Sequence, residues 1–194
     1  MGRFSRQIGS KKLRRKVFVA AEGSATEWDY LDFLQDIGCE TVKRIKPQTS
    51  KSNPRNVLQR MKEGLKGNLQ KNDEAWILID RDEWSETEIE PLLKWERKDP
   101  RYHVVISNPC VEFWLLLHFE DGGGATTPEM CRNRLKKYLP DYKKRILLNS
   151  FTEDMVQGAI SRARRLCEDK GISWDTPCST TFHQFVQSLL SARS

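Results

Sequence analysis

Three short, unbroken apolar runs constrain this chain more than any other feature. They are Lys16–Ala21 (KVFVAA), Ala75–Ile79 (AWILI) and Tyr102–Ile106 (YHVVI), followed in turn by Glu22, Asp80 and Ser107. A strand with one wet face alternates apolar and polar residues. A run without alternation has to be covered on both faces, which is the situation of strands in a parallel sheet. The intervening segments read as helices. Ser24–Ile37 carries Trp28, Leu31, Phe33 and Leu34 in helical spacing, and Asn56–Leu69 carries Val57, Leu58, Met61 and Leu65. Ser85–Lys98 is a charged third helix that Pro91 breaks or restarts. Thr41–Ile45 adds a short strand and Lys46–Pro54 a polar loop. Strands alternating with helices predict an α/β fold, with a mostly parallel sheet flanked by helices.

Beyond Ser107 the strand signal stops. Asn108 is expected to cap a helix with Pro109 at its first position. The stretch Val111–Phe119 (VEFWLLLHF) is apolar around nearly its whole circumference, which predicts a buried helix. Further helices are expected over 128–139 and 152–169. A last one runs from Thr181, with Phe182, Phe185, Val186, Leu189 and Leu190 on one stripe. The expected organisation is a basic flexible tail (1–15), an α/β core (16–107) and a helical C-terminal part packed on that core (108–194).

Composition narrows the function classes. No 18-residue apolar run exists in the 194 residues, so no membrane span is expected, and the short apolar stretch after the basic start does not make a signal peptide. The expected location is the cytoplasm. Five widely spaced cysteines without a Cys-x-x-Cys pair argue against structural zinc and for reduced thiols. The net charge of +6 is segregated. Seven of the basic residues lie within Met1–Lys16, and the remainder is nearly neutral. Within that remainder, Lys43–Lys71 holds nine basic residues against one acid, whereas Asn72–Asp121 holds thirteen acids against five bases. Basic segments of this kind dock on phosphate backbones, and Lys46, Lys51 and Arg55 are the candidate nucleic-acid contacts.

Glu22, Asp80 and Asp82, and with them Glu112, all follow ends of expected strands, the edge at which open parallel sheets bind ligands. Asp80 and Asp82, two apart on an extended chain, share a side. Carboxylates about 4 Å apart repel by on the order of 4 kcal/mol at an effective dielectric near 20. Either protonation or a divalent cation compensates, and an all-oxygen site suits Mg2+ or Mn2+. Arg81 is a third way to neutralise one of them. Glu27 has two readings, a capping box begun by Ser24 and a metal ligand. Glu112 suits the positive end of its helix, yet its apolar neighbours demand a partner or a metal link. His103 and His118 read as core or surface residues. No cysteine stands out as a nucleophile, and the triple glycine lacks the Gly-Lys-Ser/Thr of a P-loop.

Three motifs, Val17-Phe18-Val19-Ala20-Ala21-Glu22-Gly23 with Thr26-Glu27, Ile79-Asp80-Arg81-Asp82, and Ile106-Ser107-Asn108-Pro109-Cys110-Val111-Glu112-Phe113-Trp114-Leu115-Leu116-Leu117-His118-Phe119, resemble those of the RloB-like (AbiLii) family, as does the terminal Ser179-Thr180-Thr181-Phe182-His183. The resemblance implies a Toprim-like fold and a role in prokaryotic anti-phage defence, commonly beside an ATPase partner. It also implies roles for residues: Glu22 as acid/base or metal-linked group, Asp80 and Asp82 as metal ligands, and Glu27 joining the metals as in the nuclease branch. Asn108, Glu112 and His183 form an additional candidate set. The preferred expectation is a Mg2+- or Mn2+-dependent nuclease acting on DNA or RNA in abortive infection. The alternative is a non-catalytic module that binds nucleic acid or a companion protein. Whether the chain forms a homo-oligomer stays open.

Overall fold

The apolar runs become the central strands of one sheet. In a computed structural model of the chain, residues 15–23, 25–40, 42–47, 53–66, 69–81, 84–147, 149–170 and 176–191 are described, 168–170 by backbone alone. Most of the expected basic tail, together with Asp82 and Lys51, lies outside the described residues. Arg15, the last residue of that expected tail, is tied to Glu40, Glu74 and Ser188.

In chain order the elements are β1 (Val17–Ala21), α1 (Thr26–Asp36), β2 (Val42–Arg44), α2 (Pro54–Leu65), β3 (Glu74–Asp80), α3 (Glu86–Glu96) and β4 (Tyr102–Asn108). They are followed by α4 (Val111–Leu116), α5 (Pro128–Leu135), α6 (Glu153–Lys170), β5 (Ser179–Thr180) and α7 (Phe182–Ser191). The strand order is β2-β1-β3-β4-β5. The first four strands are parallel and β5 runs antiparallel to β4. The α/β expectation therefore holds.

Successive residues on each strand face opposite sides, and the core divides accordingly. Val17, Val19, Ala21, Trp76, Leu78 and Val105 pack with α1 and with α4 to α7. Phe18, Ala20, Ala75, Ile77, Ile79, Val104 and Ile106 pack with α2 and α3. Every residue of α4 is buried, as its apolar circumference required. Trp114 stacks on Phe182 with ring centroids 5.3 Å apart. Tyr30 hydroxyl and His118 Nε2 are 2.9 Å apart, and burial pushes the His118 pKa down to about 3, so His118 is a neutral core residue. Among the described residues no helix is long and apolar enough to cross a membrane.

Two expectations fail after Ser107. The strand does not end there: β4 continues through Asn108, and Asn108 pairs with Ser179 of β5. Two residues of strand are too short to show any period in sequence. Asn108 is consequently a strand residue, the Asn108–Pro109 peptide is cis, and α4 starts at Val111 with Cys110 as its N-cap. Pro91, by contrast, sits inside α3, which runs through it from Glu86 to Glu96.

Candidate functional site

The sheet order sets the position of the site. From β1 the chain steps to β2 on one side and then crosses to β3 on the other, so the connections after β1 and β3 leave in opposite directions. A crevice forms at such a switch point outside the carboxyl ends of the strands. Glu22 follows β1 there, with its N–H donating to the Leu78 carbonyl at 3.0 Å, and Asp80 ends β3 beside it.

Asp80 shares the strand face of Trp76 and Leu78, toward α1 and α4. Its Oδ1 accepts the N–H of Val111 at 2.8 Å, which satisfies one of the free amides at the start of α4. A recess lined by Asp80, Glu27, Ser107, Val111 and Phe182 has no room for water. Burial is accordingly the largest influence holding the Asp80 carboxyl well above the usual carboxylate range. The charges of Glu27, Glu112 and Glu22 follow in that order, against the Val111 N–H, which lowers it.

Each neighbouring carboxylate is held by its own donor. Glu27, 5% exposed, accepts the Gly23 N–H at 2.9 Å. Burial raises its pKa, as does the Glu112 charge, whereas the Gly23 N–H and Lys144 lower it. Glu112, 4% exposed, accepts from the Tyr142 hydroxyl at 3.2 Å, which fulfils the demand for a partner. That hydroxyl lies 3.1 Å from Thr26 Oγ1, and burial followed by the Glu112 charge pushes the phenol pKa up. Glu22 Oε1 accepts the indole N–H of Trp84 at 2.9 Å. The Cys110 thiol is kept protonated by its hydrogen bond with Cys131, by burial and by the charges of Glu112 and Asp80. All five cysteines are buried and none is in a disulfide, in line with the reduced thiols expected from the sequence.

The structure thus gathers Glu27, Asp80 and Glu112, with Glu22 at their edge; of the three charges acting on Asp80, that of Glu22 ranks last. His183 is buried on α7 with Nδ1 3.2 Å from the Thr180 carbonyl. Lys46 stands exposed just after β2, and Arg55 exposed in the first turn of α2. Sequence reasoning missed Trp84, Tyr142 and Lys144, and took Thr26 only as a motif residue. The run KKYLPDYKKR over 136–145, in which aromatics interleave with bases, was the available signal for Tyr142 and Lys144.

Gly23 is required here by close approach. A Cβ on it would collide with both carboxylate oxygens of Glu27. Gly23→Ala is therefore expected to push Glu27 off its backbone donor and to lower stability by about 1–3 kcal/mol, the cost of unmaking a buried charged hydrogen bond. Thermal melting checks this, and a melting temperature equal to that of the wild type would contradict the packing.

By donor chemistry carboxylates suit a hard divalent cation, and here the charges of Glu27, Glu112 and, least, Glu22 act on Asp80, while Lys144 acts on Glu27 in the opposite sense. By position, no three His, Cys, Asp or Glu side chains among the described residues converge as ligands. Fold and cluster together define an α/β protein with an acidic site at the switch point of a mostly parallel sheet. The model of the RloB-like proteins matches the chain over residues 17–189, and the chain belongs to that family. No curated protein and no solved structure matches it.

Proposed function

We propose that the chain is a Mg2+- or Mn2+-dependent nuclease hydrolysing phosphodiester bonds of DNA or RNA, in anti-phage defence and alongside an ATPase partner. The observation that carries the reading is Asp80, desolvated at the switch point and pressed by three further carboxylates. Such a cluster is costly without a counter-charge. Its layout also parallels the Toprim pattern implied by the motifs, a glutamate after the first strand and an Asp-x-Asp after a later one.

Asp80 and Glu27, with Asp82, are the residues that would hold the cation. An ion held there would supply Lewis acidity at a phosphate and would lower the pKa of a water bound to it. Glu22 accepts from the Trp84 indole at the edge of the cluster, and would be the group that takes a proton from an attacking water. Lys46, Lys51 and Arg55 supply charge for the phosphate backbone.

One observation favours the alternative of a non-catalytic binding module, namely that no ligand trio converges among the described residues. The test is incubation of the purified chain, alone and with the proposed ATPase partner, with single- and double-stranded DNA and with tRNA in Mg2+, Mn2+ or EDTA, together with calorimetric titration of Mn2+. The expected result is cation-dependent cleavage with carboxylate-dependent heat. Neither cleavage nor heat in any arm would leave the module reading in its place.

A further inference from the structure

A second cavity of about 370 Å3 opens against α1, within the size range of small-ligand sites. Ala25 lines it, while the next two residues, Thr26 and Glu27, are buried toward the carboxylates. Three cations, Arg44, Lys46 and Arg145, stand on its wall against two acids, Asp29 and Asp32. Both acids are committed to placing guanidiniums. Asp32 pairs with Arg44, and Asp29 accepts from Arg145 Nε at 2.7 Å and from the Ile146 N–H at 2.9 Å. The Arg44 guanidinium lies over the Trp28 indole, 5.6 Å from its centroid, which makes a flat cationic surface. The Arg145 side chain is 73% exposed. Exposed Lys143 and Lys144 extend the basic edge.

One stretch of chain joins this cavity to the carboxylates. Tyr142 donates to Glu112, the Lys144 carbonyl accepts from Thr26 Oγ1 at 3.2 Å, and Arg145 reaches the cavity wall. Ala25 on the cavity wall and Glu27 beside Asp80 are two residues apart on the chain.

We propose that this cavity seats one nucleotide of a single-stranded nucleic acid, with Lys46 and Arg145 on its phosphates and the Arg44–Trp28 stack against its base. The assignment rests on the nuclease reading for its purpose and deepens it by naming the substrate class. Concave basic sites with a stacking surface take bases that are free to splay out, and a duplex keeps its bases stacked inside.

The test is fluorescence anisotropy of labelled single-stranded DNA and RNA, and of the matching duplexes, with the full chain in EDTA over a range of salt. Lys46→Glu is expected to weaken single-strand binding about 10-fold, and the slope of log affinity against log salt to fall by about 0.7 for each phosphate no longer neutralised. Arg145→Gln should act in the same direction. Lys94→Glu, exposed on α3 across the sheet, should bind as the wild type does. Because Lys46 is exposed, its replacement leaves folding intact, and a melting curve verifies this for Arg145→Gln. Wild-type binding by both variants, or duplex bound as tightly as single strand, overturns the assignment, even if the protein cleaves. Weakened binding in the variants of a protein that never cleaves sustains the cavity and removes the nuclease.

Discussion

Asp80→Asn is expected to lower cation-dependent cleavage by on the order of 10²- to 10³-fold, the usual cost of removing one preorganised charged group from a reacting centre, and at the same time to raise the melting temperature in EDTA. The two signs come from one arrangement. Asparagine keeps an oxygen where Oδ1 accepts the Val111 N–H, so the start of α4 stays capped. It deletes the charge that Glu27, Glu112 and Glu22 oppose. At roughly 2–4 °C per kcal/mol for a chain of this length, the gain should be a few degrees. A purely structural aspartate would behave otherwise: its loss would leave cleavage unchanged, or would lower activity and stability together. The pair of measurements therefore separates a functional cluster, maintained at a cost in stability, from a helix cap with acidic neighbours.

How far the sequence reveals this depends on the range of the interactions. β1, β3 and β4 are legible because a parallel sheet writes burial into consecutive residues. α4 is legible because no polar face interrupts VEFWLLLHF. β5 is not, since its two residues are specified by β4 and not by their own pattern. The carboxylates are found through their positions after strands, and the demand that Glu112 have a partner is correct, but the partner, Tyr142, lies thirty residues on. No local period encodes such an interaction. Glu27 divides between cap and ligand in sequence, and the structure shows why the sequence could not choose. Its carboxylate reaches back to a backbone N–H before α1, as in a capping box, although the donor is Gly23. From that position it is also the charge that acts most strongly on Asp80. The emphasis on Glu22 comes from strand-end position and from the family resemblance. The indole of Trp84, on the α2/α3 side of the sheet, is what holds it.

In EDTA the wild-type protein is expected to lose stability as pH rises above the ordinary carboxylate range, and Mn2+ is expected to restore it. Asp80 and Glu27 are both raised, first by burial, from values of 3.8 and 4.5. Between those values and their folded pKa values the native state holds protons that the unfolded chain has released, so stability falls with rising pH across that window. Other groups run the opposite way. Buried His118 and half-buried His103 have lowered pKa values, so their contribution is lost as pH falls below about 6.5. Asp99, lowered to about 2 by Arg101, contributes above 3.8 and loses that contribution as pH falls through its folded value. The difference between wild type and an Asp80→Asn/Glu27→Gln double variant cancels these, and also cancels Glu96, which burial raises elsewhere in the fold. The variant's advantage in melting temperature should therefore widen from pH 5 to pH 8 in EDTA. A cation that binds only the ionised, folded cluster adds about 2.7 kcal/mol at a hundredfold excess over its Kd, roughly 5–10 °C here. Wild type at pH 8 should show that rise with Mn2+ and the double variant should not. An equal rise in both proteins would place the ion elsewhere on the molecule. Parallel pH profiles would show that the four carboxylates do not strain the native state.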